Sequence, residues 1–458
     1  MDVASLVSAW DALVLQLAAT FTAPTAQIWR QIVLGWVLHH RPAVTTGFIR
    51  ILGDIADRTW TVYHKFFYRA QWSLDNLCAQ LLIHVVEPML IEAGQVDRRS
   101  GRPVVDLNID DTTAARCGKH VAHAGWFKDA SASGVATKGA VIHWAHNWII
   151  GAVTLRLPAW PKMRWVLPVL LALYRKPGDG ARQHPFHTRQ QLAAQMVQNA
   201  VKTLPNVQWR VAADGQYATR DMVEGLPDSV TLVSRIRCDA AIYALPQSRP
   251  QGQRGRPARK GRRLPTPRAL ARRRQEGWTT YVFQKQGRTV KRQVWGMTCL
   301  WYHVCRAEPI RLVIVRDPSG VQKDDFFFCT DAATPDREIV QRYFDRWGVE
   351  ESIWESKQLM GFENTRGWCS KTVNRQAPLA MVLTTLVKCW HARCAVKAPS
   401  LLPQVMPWHR HKTRPSFADM LSALRRVIWS HRISPNSCMS RQVQEIIKTV
   451  TYALSAAA

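Results

Sequence analysis

Through the first hundred residues apolar side chains recur at helical spacing. Trp29, Ile32, Val33, Trp36 and Val37 form one stripe; Leu77, Leu81, Leu82 and Val85 form another. Breaks at Pro24 and Arg41-Pro42 divide the region, and residues 1–98 are expected to be a helical N-terminal domain. The period then shortens. Val104–Ile109 is a mostly apolar run ending in Asp110-Asp111-Thr112-Thr113, the pattern of a buried strand with acids at its tip. Ala140–Trp144 and Trp148–Leu157 predict a hairpin turning near His146-Asn147. Gln190–Thr203 predicts a helix, Val207–Ala213 a strand running into Asp214-Gly215, and Thr231–Arg237 a further strand. Strands alternating with helices over 99–237 predict an α/β layer.

From about residue 238 the texture changes. Arg249–Arg274 holds eleven Arg or Lys and no acid, interleaved with Pro and Gly. Strand-like runs follow at Thr280–Gln284, Thr289–Trp295, Thr298–Val304 and Ile310–Arg316, so 238–323 is expected to be a basic, β-rich insertion. Phe326–Cys329 returns to a buried-strand pattern. Pro335 opens a long helix with Thr334 available as its N-cap, which puts a second α/β portion at 324–395 and a helical tail at 396–458.

Charge narrows the partner class. Sixty-two Lys or Arg against 33 Asp or Glu give a formal charge of +29, which favours a large polyanion because neutralising phosphates releases counterions. The ten cysteines are scattered with no CxxC pair, as expected of reduced cytoplasmic thiols. No basic, then apolar leader follows Met1, and the apolar runs near Trp144–Leu157 and Trp165–Tyr174 are short of a bilayer span. No signal peptide or membrane partner is expected, and the cytoplasm is the expected compartment.

Candidate chemistry lies in three places. Tyr343, Arg346, Glu350 and Lys357 are spaced by three, four and seven residues, which at about 100° per residue confines them to an arc of roughly 60° on one helix. Such a stripe suits the wall of a site for metal and phosphate; a solvated face with an ordinary Arg346–Glu350 pair has the same spacing. Asp111 and Asp214 each follow an apolar run, and strand-end carboxylates in an α/β layer can converge at one sheet edge. Three carboxylates suit Mg²⁺, which retains several of its waters.

Together these residues resemble a known family. Ile109-Asp110-Asp111-Thr112-Thr113, Asp214-Gly215 after a strand, and Tyr343-x2-Arg346-x3-Glu350-x6-Lys357 are similar to the bacterial insertion-sequence DDE transposases, and within them to the group with a Tyr-Arg-Glu-Lys signature. The resemblance covers residues 100 to 390 and is weaker in the N-terminal helices. It implies an RNase H-like (retroviral integrase-like) core interrupted by a mainly β insertion. It also implies cleavage at transposon ends followed by attack of the freed 3′-hydroxyl on target DNA. Asp111, Asp214 and Glu350 would hold two Mg²⁺ ions, with Mn²⁺ able to substitute, while Tyr343, Arg346 and Lys357 would contact phosphates of the transposon end. Double-stranded DNA, as terminal inverted repeats and target, is the implied partner, and a homodimer the implied assembly on it. The acid-Asp-Thr triplet favours Asp111 over its neighbour Asp110, which points to the opposite strand face.

Other signals carry less. Cys117, His120 and His123 lack a fourth zinc ligand and are expected to form a loop near the site. Glu351 lies about 100° round the helix from Glu350. Trp295 and Trp301 are candidates for stacking on a displaced base.

Overall fold

The computed structural model describes the chain except residues 41–43, 98, 130–140, 180–184, 248–257, 404–409, 411, 413, 434–440 and 457–458. The break at Arg41-Pro42, the first part of the Arg249–Arg274 run and half of the basic segment His409–Arg414 lie outside the described residues. The N-terminal region is helical as expected: α1 (Val3–Gln16), α2 (Ala23–Leu38), α3 (Thr45–Leu52), α4 (Trp60–Tyr68), α5 (Leu74–Leu81) and α6 (Glu87–Ala93), the last two joined by a π-turn. Then come β1 (Val104–Ala115), β2 (Gly125–Lys128), β3 (Ile142–Leu155), β4 (Trp165–Tyr174), α7 (Arg189–Thr203), β5 (Gln208–Ala213), α8 (Arg220–Gly225) and β6 (Thr231–Arg235). The chain continues through α9 (Pro267–Arg273), β7 (Thr279–Lys285), β8 (Arg288–Leu300), α10 (Tyr302–Cys305), β9 (Pro309–Arg316) and β10 (Asp325–Cys329). It ends with α11 (Asp336–Asp345), α12 (Trp347–Leu359), α13 (Ser370–Cys394), α14 (Phe417–Arg432) and α15 (Arg441–Ser455).

All ten strands form one mixed sheet in the order β2-β3-β1-β5-β6-β10-β9-β8-β7, with β4 beside β3. β1 pairs antiparallel with β3 and parallel with β5, and β5 pairs parallel with β6. That is the order expected of an RNase H-like core: an antiparallel meander, a helical crossover, then parallel strands. The strands of 279–316 extend this sheet through β9 and β10.

β1 explains how the site is positioned. Its odd residues Val105, Leu107 and Ile109 are apolar and its even residues Asp106, Asn108 and Asp110 are polar, a two-residue period that sorts them onto opposite faces. Five of the six are fully buried and Asp110 nearly so, because the even face docks on α11 and α12 through ion pairs. Arg210 reaches Asp106 at 2.8 Å and Glu338 at 2.9 Å, while Arg156 and Arg164 both close on buried Asp345.

Five local expectations need correction. β1 runs past both acids to Ala115, where its tip was expected at Ile109, because β3 pairs with it along that whole length. Thr298–Val304, expected as a strand, divides between the end of β8 and the helix α10. β3 runs unbroken through His146-Asn147, where a turn was expected. Those polar residues are buried partners of the site, and their polarity imitates a turn. Asp336 begins α11 with Pro335 at its N-cap, and Thr334 donates to Asp331 at 2.8 Å. The long helix is two helices that meet at Arg346.

The N-terminal helices share one apolar core with the sheet and with α13 and α14. Trp36 donates to the Met360 carbonyl, Trp390 to that of Leu6, and Arg425 to those of Val37 and His39. Val3–Thr20 and Leu74–Ala93 are long and apolar enough to cross a bilayer by composition. Both are interrupted, and Trp10, Leu13, Leu77 and Leu81 turn into the core.

Candidate active site

The β1–β5 ladder ends with Ile109 opposite Ala213. The next residues, Asp110 within β1 and Asp214 just past β5, therefore lie side by side on the α11–α12 face. Asp214 starts a single 3₁₀ turn over Gly215–Tyr217, and its carbonyl accepts from Ser234 Oγ at 3.0 Å. The Tyr343 hydroxyl donates to Asp214 Oδ1 at 3.2 Å, and its ring lies 4.4 Å from that of Phe327. Burial pushes the Tyr343 phenol up to about 12, so it remains a donor.

Arg346 joins the acids. One guanidinium nitrogen lies 2.7 Å from Asp110 Oδ2 and another 2.6 Å from Glu350 Oε1, with Tyr343 beneath at 5.6 Å. Arg346 is 8% exposed, so the solvated-face reading of this stripe does not hold. Burial pushes Asp110 up to about 6, with Glu350 and Asp111 adding to the rise and Arg346 offsetting part of it. Lys357 closes the stripe by donating to the Thr113 carbonyl and pairing with Glu363, both at 2.7 Å.

Asp111 points the other way, as the strand period requires. Its Oδ2 accepts from Asn147 at 2.8 Å and Arg189 at 3.0 Å, and its Oδ1 accepts from Gln216. The site therefore brings together Asp110, Asp214, Glu350, Tyr343 and Arg346, and the Asp111 carboxylate is held on the α7 side. Tyr217 is fully buried between the two groups, and Asp111, Asp110 and Asp214, after burial itself, push its phenol far up. Among the described residues no three His, Cys, Asp or Glu converge as a ready cation cage. The Arg346 guanidinium stands between Asp110 and Glu350 instead.

Several residues escaped the sequence reading. Asn147 and His146 were assigned to a turn. His146 accepts from Arg116 at 2.8 Å and donates to the Ala122 carbonyl at 2.8 Å; burial, and then Arg116, hold its imidazole down at about 4. Arg189 opens α7 behind a Thr188–Gln191 capping box, a sequence signal for a helix start but not for a carboxylate partner. Trp301 is buried against Phe328 and Trp295 lies beneath Arg274, so neither is an open stacking platform.

A sheet of this order, with an acid on one parallel strand, a second just past its neighbour and a third on the helix docked across them, has the arrangement of an RNase H-like nuclease. The chain belongs to the DDE superfamily endonucleases: the family's sequence pattern matches residues 50–304, more than half of the chain. The match takes in Asp110, Asp111 and Asp214 and stops before α11, so the Tyr343–Lys357 signature stands beyond it. No curated protein matches the chain.

Proposed function

We propose that the chain is a bacterial insertion-sequence transposase of the Tyr-Arg-Glu-Lys group. It cleaves double-stranded DNA at terminal inverted repeats and joins the freed 3′-hydroxyl to target DNA in the nucleoid, acting as a homodimer. The observation that carries this reading is the pair of contacts from the signature stripe, Arg346 to Asp110 of β1 and Tyr343 to Asp214 just past β5. Exposed Arg259, Arg262, Arg263, Arg268, Arg272 and Arg273 supply a basic surface for the duplex.

The residues fit a hard divalent cation. Asp110, Asp214 and Glu350 offer carboxylate oxygens, and two of them already share a bound cationic group, the Arg346 guanidinium. These three would hold Mg²⁺ or Mn²⁺, with Asp110 taking the place that the sequence pattern assigned to Asp111. Metal bound there would activate the attacking oxygen and stabilise the leaving one at phosphorus. The protein's own part is to keep Asp110 desolvated, to fix Asp214 through Tyr343, and to release Glu350 when Arg346 exchanges its carboxylates for a DNA phosphate. Asp111, with Asn147, Arg189 and Gln216, stiffens the strand behind Asp110. Glu350→Gln is expected to abolish cleavage of a duplex carrying the element's ends while retaining binding. Continued cutting by that variant contradicts the assignment.

A further inference from the structure

A second constellation lies away from the carboxylates, where the loop after β1 meets the start of α13. His123 holds φ at 63°, a left-handed conformation costing a non-glycine residue on the order of 1 kcal/mol and concentrated at functional sites. Its side chain is 8% exposed. Nδ1 lies 2.7 Å from Asp179 Oδ2 and Nε2 lies 2.8 Å from Ser370 Oγ. A carboxylate can only accept, so Asp179 fixes the ring proton on Nδ1 and leaves Nε2 to accept from the Ser370 hydroxyl. Carboxylate, imidazole and hydroxyl in that order form the arrangement that activates a serine.

The surroundings suit a reaction. Ser370 is exposed and is the first residue of the 25-residue helix α13, whose N-cap Cys369 makes no side-chain capping bond. The first-turn amides have no partner within the helix, so this helix end offers donors for a developing oxyanion. Ser370 and Asp179 both line a cavity of about 780 Å³. Leu171, Leu192 and Phe186 give it apolar walls; Arg175, Lys176 and Lys371 give it positive charge. A clasp between loop and helix needs one hydrogen bond and gives no reason for an oriented relay ending in an exposed hydroxyl at a cavity.

We propose that Ser370, His123 and Asp179 form a metal-independent esterase site for small carboxylic esters bearing an anionic group. The Ser370 oxygen bonds to the carbonyl carbon as its proton passes to His123 Nε2, and the oxyanion faces the first-turn amides. Collapse breaks the ester C–O bond, and the leaving alcohol takes the proton from Nε2. Water repeats the sequence on the acyl-serine, so ester and water give acid and alcohol.

The full chain is treated with a fluorophosphonate probe, and hydrolysis of the 4-nitrophenyl esters of acetate and of succinate (as the monoester) is followed with EDTA present. One adduct on Ser370 is expected, with succinate turned over at least tenfold faster than acetate. Ser370→Ala should lose the adduct and at least a hundredfold of hydrolysis at an unchanged unfolding temperature. His123→Asn, which tolerates the left-handed backbone, should lose hydrolysis similarly. An unlabelled wild-type chain, or labelling and hydrolysis that survive Ser370→Ala, overturns the site. Faster turnover of acetate overturns the substrate class.

Discussion

The two faces of β1 treat adjacent aspartates differently. Asp110, on the α12 side, is nearly buried and holds one backbone amide and a guanidinium shared with Glu350. Asp111, on the α7 side, has both oxygens occupied by the side chains of Asn147, Arg189 and Gln216. An acid kept short of donors among other acids is poised to take a cation, and one saturated by side-chain donors is part of the frame. Sequence adjacency therefore says little about role; the strand period decides it.

Several expected outcomes test that contrast. The largest is in DNA cleavage: Asp110→Asn should lose about a thousandfold or more, because it removes charge stabilisation worth several kcal/mol. Asp111→Asn should lose only about ten- to a hundredfold, as supporting residues do. Equal losses would erase the distinction between the faces. Next in size, Arg346→Ala leaves nearly buried Asp110 and half-buried Glu350 without their shared cation and should cost about 3 kcal/mol in denaturant unfolding. A cost under about 1 kcal/mol would show that the bridge is solvated.

On the Asp110 face two titrations oppose each other: Asp110, raised to about 6, favours the fold as pH falls, whereas His146 disfavours it. The folded His146 value of about 4 lies below the ordinary 6.5, so its protonation favours the unfolded chain. This contribution is fully present above pH 6.5 and is lost as pH falls to 4, by up to about 3 kcal/mol. His146→Gln should remove that loss, so that its stability relative to wild type rises as pH falls from 6.5 to 4; an unchanged difference across the window would show that His146 does not titrate so. The smallest effect is that of Tyr343→Phe, which removes one hydrogen bond to Asp214 and should cost about 1 kcal/mol of stability.

The α/β layer, the acids of β1 and β5 and the Tyr343–Lys357 spacing were legible because period and spacing are local properties, but the end of β1 was not, since it runs on past its acids to Ala115. The side chosen by each acid was half legible: alternation along β1 puts Asp110 with Asp106 and Asn108, but only the β1–β5 register shows that Asp214 leaves on that side. Asn147 and His146 were misassigned because buried polar residues inside a strand look like turn residues until their partners are known. Arg189 and Gln216 meet Asp111 across about eighty and a hundred residues of chain, respectively, and nothing local signals that contact. After residue 278 three strands were legible, but Thr298–Val304 divides between the end of β8 and α10, and continuity with the central sheet depends on the β9–β10 pairing.

The central claim is that the cation is held on the Asp110 face. The direct measurement is Mn²⁺ binding to the full-length chain by calorimetry, compared among wild type, Asp110→Asn and Asp111→Asn. Asp111→Asn should bind within about tenfold of wild type, as expected of a supporting residue, and Asp110→Asn should show no saturable binding. Retained binding in Asp110→Asn with loss in Asp111→Asn would contradict the account and return the first ligand to Asp111.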